Sequence, residues 1–208
     1  MAAPELGGGP DSVTVYFGTG RFLGASDLVV PSATTTKQIV GAFKDDLQGT
    51  TTLSLAAFAK HSMDSSETSR KIVDTDEGSG SNDVGWYIEL PSAGERVAVD
   101  PQLFQGTFMV PTVVPTASDC QPGGYSWFYQ FNANGGSPYK DGSVGTRLTS
   151  PIVGMSVSML PGGKPVVIAV TADGKKPKTI DLPPPGGGGG EGGEDGKTTR
   201  LQWRELGK

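Results

Sequence analysis

Glycine and proline interrupt this chain so often that they leave little room for long helices, and this is its strongest structural constraint. The sequence has 32 glycines and 16 prolines among 208 residues, and both residue types destabilise helix interiors. The glycine share alone is about twice the usual ~7%. Between the breaks, apolar and polar residues alternate, as in Val13, Val15 and Phe17 against Thr14 and Tyr16. A period of two predicts β-strands with one buried face.

About ten such runs follow one another at spacings of roughly 8–15 residues, which is typical of an all-β sandwich, barrel or propeller. Residues 83–97 predict a hairpin whose turn lies at Pro91 to Gly94. Aromatic residues on both faces of residues 126–132 predict a strand buried between two layers. Residues 52–62 suit a helix by composition, but they alternate and we expect a strand. Further strands are predicted at residues 37–43, 103–115, 152–160 and 164–174, with a turn at Asp173-Gly174 and a return strand at 178–182.

The composition divides the chain into four parts. Residues 1–11 predict a disordered N-terminus, residues 12–183 a β domain, residues 184–197 a Gly/Pro-rich linker, and residues 198–208 a closing β-strand, because TTRLQWREL alternates again. Within the β domain, residues 62–82, with a small apolar island at Ile72 and Val73, are expected to form a loop or a weak edge strand, and residues 137–147 a polar loop.

Charge and targeting signals narrow the classes of partner. The net charge is −5 and the isoelectric point is near 4.9, which argues against a nucleic-acid surface and against binding to an anionic membrane. The first residues have neither the basic nor the apolar region of a signal peptide. No run approaches the ~18 apolar residues of a membrane span, so we expect no membrane insertion.

The residue types that carry catalysis are few. His61 is the only histidine, and a general base would need a nucleophile and an orienting group that the sequence does not show. A surface or strand-edge histidine is therefore the favoured interpretation. Cys120 is the only cysteine, so no intrachain disulfide can form. It lies in a Gly/Pro turn without a feature that lowers a thiol pKa.

Two loops superficially resemble ligand sites. Gly18-Thr19-Gly20 is followed by Gly24, one position off the phosphate-loop pattern, and no helix follows, so a turn at a strand end is predicted. The stretch DTDEGSGSND at 74–83 offers oxygen ligands, but it fits the spacing of a calcium loop only loosely, at Asp74, Asp76, Gly78, Asn82 and Asp83. A solvated acidic loop is favoured. We therefore expect no catalytic, cofactor-binding or metal-binding residues.

Four segments occur in an order that resembles one protein family. They are VYFGTGRFLGASDL (15–28), GWYIELPSAGERV (85–97), FMVPTVVPTASDCQPGGYSWFYQFNANGG (108–136) and RLQWREL (200–206). Together they resemble the C-terminal β-propeller region of the PilC/PilY-type family of type IV pilus biogenesis and tip-adhesin proteins. The residues that carry the resemblance are Gly18, Thr19, Gly20, Gly85, Trp86, Tyr87, Gly94, Glu95, Arg96, Cys120, Gly124, Trp127, Trp203, Arg204 and Glu205.

The resemblance implies a fold and a role. It implies a partial quinoprotein-like β-propeller of about two to three blades over residues 12–183, or a compact multi-stranded β-sheet unit derived from it. It also implies a non-enzymatic protein that is exported through the periplasm to the cell surface and pilus tip, opposes pilus retraction, and supports pilus assembly, adhesion and twitching motility. The implied partners are minor pilins or other domains of a pilus-tip protein, with a host surface or glycan as a further partner.

The chain also departs from the family pattern. The family's acidic calcium loop is absent, so no calcium ligands can be transferred to this chain. The family's N-terminal adhesive region is absent too, and the Gly-rich run at 186–193 is an insertion. Two alternatives stay open: a fragment of a quinone-cofactor dehydrogenase-type propeller, and a module that binds glycans or a host surface.

Overall fold

The short alternating runs fold into β-strands, which confirms the all-β class. The computed structural model describes residues 2–9, 12–20, 37–45, 52–77, 81–116 and 123–183. These residues form thirteen strands and one turn of 3-10 helix at Leu55–Ala57. In chain order the strands are β1 Glu5–Gly9, β2 Ser12–Gly18, β3 Ile39–Asp45, β4 Phe58–Ser65, β5 Arg70–Glu77, β6 Ser81–Glu89, β7 Gln102–Phe104, β8 Thr107–Thr116, β9 Gly123–Asn132, β10 Ser143–Leu148, β11 Ile152–Met159, β12 Pro165–Thr171 and β13 Lys178–Asp181.

Ten strands form one large sheet that curls into a nearly closed barrel. Its order is β1-β2-β3-β6-β4-β5-β10-β9-β8-β7. Neighbouring strands are antiparallel except β4 and β6, which run parallel. The end strands β1 and β7 contact each other, and Ala3 N donates to Asp100 Oδ1 at 2.7 Å beside them. The curl covers most of the inner face of the sheet.

The interior of the barrel is filled by side chains from alternate strand positions. On β9 these are Trp127, Tyr129 and Phe131, each at most 1% exposed. Each large apolar side chain contributes about 1.5–3 kcal/mol by leaving water. The interior cluster also contains Tyr16, Val40, Ala42, Ala59, Trp86, Ile88, Leu90, Val97, Leu103, Phe108, Val110, Val114 and Val144.

A small sheet, β11-β12-β13, packs on the outer face of β8 and β9. Met109 and Phe128 from the large sheet meet Ile152, Val167 and Ala169 in a second apolar cluster. Strand β9 is thus buried on both faces, as its aromatic residues predict. The small sheet itself confirms the predicted turn at Asp173-Gly174, because β12 and β13 pair antiparallel across it.

The predicted hairpin over residues 83–97 is wrong. One edge of β6 pairs with β3 and the other with β4, so no edge is left for a return strand. Arg96 instead forms an isolated bridge with Val113 of β8. The buried face of β6 is as expected, since Trp86, Ile88 and Leu90 are at most 2% exposed.

The sheet order does not confirm a count of two or three propeller blades. Propeller blades are separate sheets of about four strands around a channel, whereas here ten strands are hydrogen-bonded in one sheet. The coarser expectation, a multi-stranded all-β unit, is what the structure shows.

Several local expectations also differ from the structure. The sequence predicts disorder over 1–11, but Glu5–Gly9 forms β1 and pairs with β2. It predicts a loop or a weak edge strand at 62–82, where β5 forms but pairs on both sides, with β4 and β10, and so is not an edge strand. It predicts a loop at 137–147, where β10 forms. The strand expected at 52–62 begins only at Phe58. The linker at 184–197 and the closing strand at 198–208 lie outside the described residues, which contain no helix long and apolar enough to cross a membrane.

Candidate functional site

The family-motif residues at the end of β2 and after the 91–94 turn are neighbours in the fold. Val97 N donates to Thr19 O at 3.0 Å. Gly18 packs directly on the side chain of Val97. Gly20 has φ +117°, and a Cβ there would lie 2.6 Å from Cβ of Arg96. A larger residue at Gly20 would separate the two segments, so their contact explains why glycine stands at this position.

The turn at residues 91–94 directs Glu95 into the barrel. Glu95 N donates to Ser92 O at 3.1 Å, and Arg96 then exchanges two backbone hydrogen bonds with Val113 of β8. Arg96 Nε donates back to Gly94 O at 2.9 Å. These bonds fix the backbone on either side of Glu95. The residue itself is 1% exposed.

The carboxylate of Glu95 accepts hydrogen bonds on both oxygens. Oε1 accepts from the hydroxyls of Thr112 and Tyr129, each at 2.7 Å. Oε2 accepts from Ser92 N at 3.1 Å and lies 4.0 Å from Nη2 of Arg70. A buried carboxylate is stable only with such donors and a compensating cation.

Arg70 supplies that cation from the start of β5. Its Nε donates to the hydroxyl of Tyr129 at 3.3 Å, its Nη1 to Ser66 O at 2.9 Å and its Nη2 to Ser92 Oγ at 2.7 Å. The guanidinium lies 4.1 Å from the ring centroid of Trp127, a cation–π distance. Arg70 is 4% exposed, so its charge is held almost entirely by protein groups.

These groups form a hydrogen-bonded network around the buried carboxylate, and it holds the Tyr129 hydroxyl in its neutral form. Burial raises the pKa of Tyr129 well above its ordinary value, and the Glu95 carboxylate raises it further, while Arg70 acts in the opposite direction. Tyr129 therefore stays protonated and donates to Glu95. We call Arg70, Ser92, Glu95, Thr112 and Tyr129 the buried network.

A cavity of about 350 Å³ opens above the buried network. On its outer side, the guanidinium of Arg147 lies 4.2 Å from the ring centroid of Tyr125. Arg147 Nη1 also donates to Glu67 O at 3.0 Å. We call this cavity the Arg147 pocket; it is lined by Ser65, Ser66, Glu67, Arg70, Pro91, Ser92, Tyr125, Trp127 and Arg147. It combines a firm buried floor with exposed polar groups at its mouth.

The other motif residues lie apart from this pocket or only border it. Gly85, Trp86 and Tyr87 lie on β6, where Trp86 Nε1 donates to Ala133 O at 2.9 Å. Gly124 lies on β9 opposite Pro115. Trp127 borders the pocket, and its Nε1 is buried without a hydrogen-bond partner in the described part of the chain. Cys120, Trp203, Arg204 and Glu205 lie outside the described residues.

The interpretation of His61 as a surface or strand-edge residue is wrong. Strand β4 lies between β6 and β5, and His61 is 1% exposed. Its ring stacks on Trp86 with centroids 6.0 Å apart. Within the described ranges, no three His, Cys, Asp or Glu side chains are grouped as metal ligands. Of the acidic stretch 74–83, residues 74–77 end β5 and residues 81–83 begin β6, while residues 78–80 lie outside the description.

Sequence reasoning found Glu95 but missed three of its partners. Arg70, Thr112 and Tyr129 come from three different strands and lie 17 to 34 positions from Glu95 in the sequence, and Arg70 is 59 positions from Tyr129. The sequence contains one signal of these partners: the polar residue Thr112 interrupts the apolar run FMVPTVVP. A threonine at a fully buried position predicts a hydrogen-bond partner without identifying it.

Comparison with protein-family models, with curated proteins and with solved structures finds no match to this chain.

Proposed function

We propose that this chain is a non-enzymatic domain of a type IV pilus biogenesis and pilus-tip protein, supporting pilus assembly, adhesion and twitching motility. The observation that carries the proposal is the order of four segments that resemble the PilC/PilY-type family. The structure supports it in one respect: segments 15–28, 85–97 and 108–136, far apart in sequence, contribute residues that pack together. Thr19 bonds to Val97, and Glu95 bonds to Thr112 and Tyr129. A shared motif order is expected where its members depend on one another for packing.

The finer architecture belongs to the same proposal. Residues 12–183 would correspond to part of the family's quinoprotein-like propeller, with the curled large sheet as the form this portion takes. The resemblance carries this assignment; the sheet order supports only the all-β class. The proposed location is the cell surface at the pilus tip, reached through the periplasm, and the proposed partners are minor pilins or other domains of a tip protein.

The proposal is tested by deleting the coding sequence in the source organism and counting surface pili by electron microscopy. We expect few pili and loss of twitching, both restored by the wild-type chain. Because the proposed role opposes retraction, removing the retraction motor as well should restore pili without restoring the chain. Normal piliation and twitching in the single deletion, together with absence of the chain from the surface fraction of the wild type, would refute the proposal.

The non-enzymatic part is tested separately. Titration of the purified chain with pyrroloquinoline quinone and calcium should leave the quinone absorbance unchanged. A saturable spectral change would favour the quinone-dehydrogenase alternative instead.

The second candidate function, binding of a glycan or host surface, is favoured by one observation. The Arg147 pocket presents an aromatic ring together with hydroxyl, carboxylate and guanidinium groups at an accessible opening, and such a combination is typical of small-ligand sites with a few convergent polar groups.

A further inference from the structure

We propose that the Arg147 pocket binds a neutral saccharide, packed against Tyr125 and Arg147 and hydrogen-bonded by Ser92, Glu67 and Arg147. This inference names a ligand class and a site for the second candidate function. It rests on the pocket alone and does not require the pilus role.

The wall of the pocket suits the face of a sugar ring. The guanidinium of Arg147 lies over the ring of Tyr125 at 4.2 Å, so the ring supports one face of the guanidinium and the opposite face offers a planar surface to a ligand. Tyr125 is half-buried and packs against the barrel interior, which fixes its ring. Arg147 is itself exposed but held to Glu67 O at 3.0 Å. A held aromatic group offers contact area at a low cost in conformational entropy.

The polar groups of the pocket match hydroxyls, which both donate and accept. Arginine has no acceptor atom, so Ser92 Oγ is the acceptor in its 2.7 Å bond with Arg70, and its own proton can be donated to a ligand. The exposed carboxylate of Glu67 accepts hydrogen bonds, and the remaining N–H groups of Arg147 donate them. A polyhydroxy ligand can use all three.

The charge balance favours a neutral ligand over an anion. The charge of Arg70 is compensated by Glu95, 4.0 Å away and buried. The lining contains one further cation, Arg147, and one further carboxylate, Glu67. These opposite charges leave little net field to attract an acidic group, and Glu67 would repel a carboxylate placed beside it.

The floor of the pocket is preorganised for binding. Arg70 and Ser92 belong to the buried network, and Arg70 is 4% exposed with Nε and both terminal nitrogens hydrogen-bonded. The cavity of about 350 Å³ lies near the lower end of small-molecule sites, ~300–1,000 Å³, which suits a mono- or disaccharide better than a long chain.

The test is saturation-transfer NMR on the purified chain with D-glucose, D-galactose, D-mannose and N-acetyl-D-glucosamine, beside D-glucuronate and acetate. We expect at least one neutral sugar to bind. Arg147→Ala should weaken that sugar about tenfold or more, the loss typical of a charge-assisted hydrogen bond. Tyr125→Phe should retain most of the affinity and Tyr125→Ala should not. Lys164→Ala removes an exposed cation of the small sheet and serves as the matched control, with affinity unchanged.

Three results would overturn the inference: no neutral sugar binds, only glucuronate and acetate bind, or binding persists in both Arg147→Ala and Tyr125→Ala. Circular dichroism and unfolding measurements on each variant show whether its fold is intact, so that a loss of sugar binding can be assigned to the pocket. We expect Arg147→Ala to keep the fold, because Arg147 is exposed. The pilus proposal is tested separately, by counting pili in the deletion strain. Complementation with Arg147→Ala separates the two, because it should restore pili while the purified variant loses sugar binding.

Discussion

Replacing Glu95 by glutamine tests the buried network with almost no change of shape. Both carboxylate oxygens accept only: Oε1 from Thr112 and Tyr129 at 2.7 Å each, and Oε2 from Ser92 N at 3.1 Å with Arg70 at 4.0 Å. Glutamine offers one acceptor oxygen and one NH₂ donor. With the amide nitrogen in the place of Oε2, it would face Ser92 N, which can only donate. With the nitrogen in the place of Oε1, the hydroxyl oxygens of Thr112 and Tyr129 can accept from it, but the Tyr129 O–H loses its acceptor, so neither orientation satisfies the site.

The expected loss follows from burial. The side chain of Glu95 is 0% exposed and that of Arg70 is 5% exposed, so the arginine charge would stay buried without its counter-charge. Removing one partner of a buried ion pair costs about 3–5 kcal/mol, because the remaining charge is left buried without compensation. This is a large part of the ~5–15 kcal/mol that stabilises a typical domain.

Urea unfolding monitored by tryptophan fluorescence measures this loss, with a double-mutant cycle to assign it. Arg70→Met removes the charge that Glu95→Gln leaves uncompensated. The double variant Glu95→Gln/Arg70→Met should therefore lose less free energy of unfolding than the two single variants together, by about 1 kcal/mol or more. Glu89→Gln is the control: that carboxylate is 39% exposed and 3.4 Å from Lys60, and surface pairs contribute about 0–1 kcal/mol. A loss for Glu95→Gln no larger than for Glu89→Gln would refute the reasoning.

Two further predictions concern glycine packing and alkaline pH. Gly135 has φ +82° and a Cβ there would lie 2.4 Å from Trp86, so Gly135→Ala should lower the free energy of unfolding by about 3 kcal/mol. Gly162 has φ +93° with nothing within 4 Å of such a Cβ, so the control Gly162→Ala should lower it by only about 1–2 kcal/mol. Equal losses in the two variants would contradict the steric argument. Burial raises the pKa of Tyr16 from 10.0 to about 12 and that of Tyr129 in the same direction. The pKa of each tyrosine is higher in the folded than in the unfolded protein, so the unfolded protein releases its protons first as the pH rises. The free energy of unfolding is therefore unaffected by these tyrosines below pH 10 and falls as the pH rises towards 12, by up to about 1.4 kcal/mol per pH unit for each tyrosine. Tyr16→Phe should flatten this decline in unfolding measured between pH 9 and 12, within the range of that pKa, and an unchanged slope would count against burial as its cause.

The parts of the fold that depend on local sequence were predictable. Alternation identified β2, β3, β6 and β11, because a strand with one buried face repeats every second residue. A continuous apolar run identified β12. Aromatic residues on both faces of β9 predicted its burial between two layers, since an exposed face would not carry them. Asp173-Gly174 predicted the β12–β13 turn, because Gly174 adopts φ +66° there.

Pairing between distant strands was not predictable from the same patterns. Alternation tells which residues face inward but not which strand lies alongside, and this is why residues 83–97 resembled a hairpin although β6 pairs with β3 and β4. Strand β10, with the sequence SVGTRL, has little apolar alternation and forms by pairing with β9 and β5. The buried network could not be predicted for the same reason, because each partner of Glu95 comes from an element whose position is defined only by the assembled sheet.

Among the residues that the structure describes, those that carry the family resemblance are mostly buried or packed against other strands. They therefore have a different role from the exposed residues of the pocket. Gly18, Gly20 and Glu95 fix how β2, the 91–94 turn and β8 meet, so their presence reports a shared way of packing. The Arg147 pocket is built on that packing, since Ser92 and Arg70 belong to both the buried network and the pocket lining. Its exposed residues, which are Ser65, Ser66, Glu67 and Arg147, lie outside every motif segment. On the proposal that the pocket binds a saccharide, substitutions at these exposed positions should change the binding while the residues of the buried network keep the base of the pocket in place.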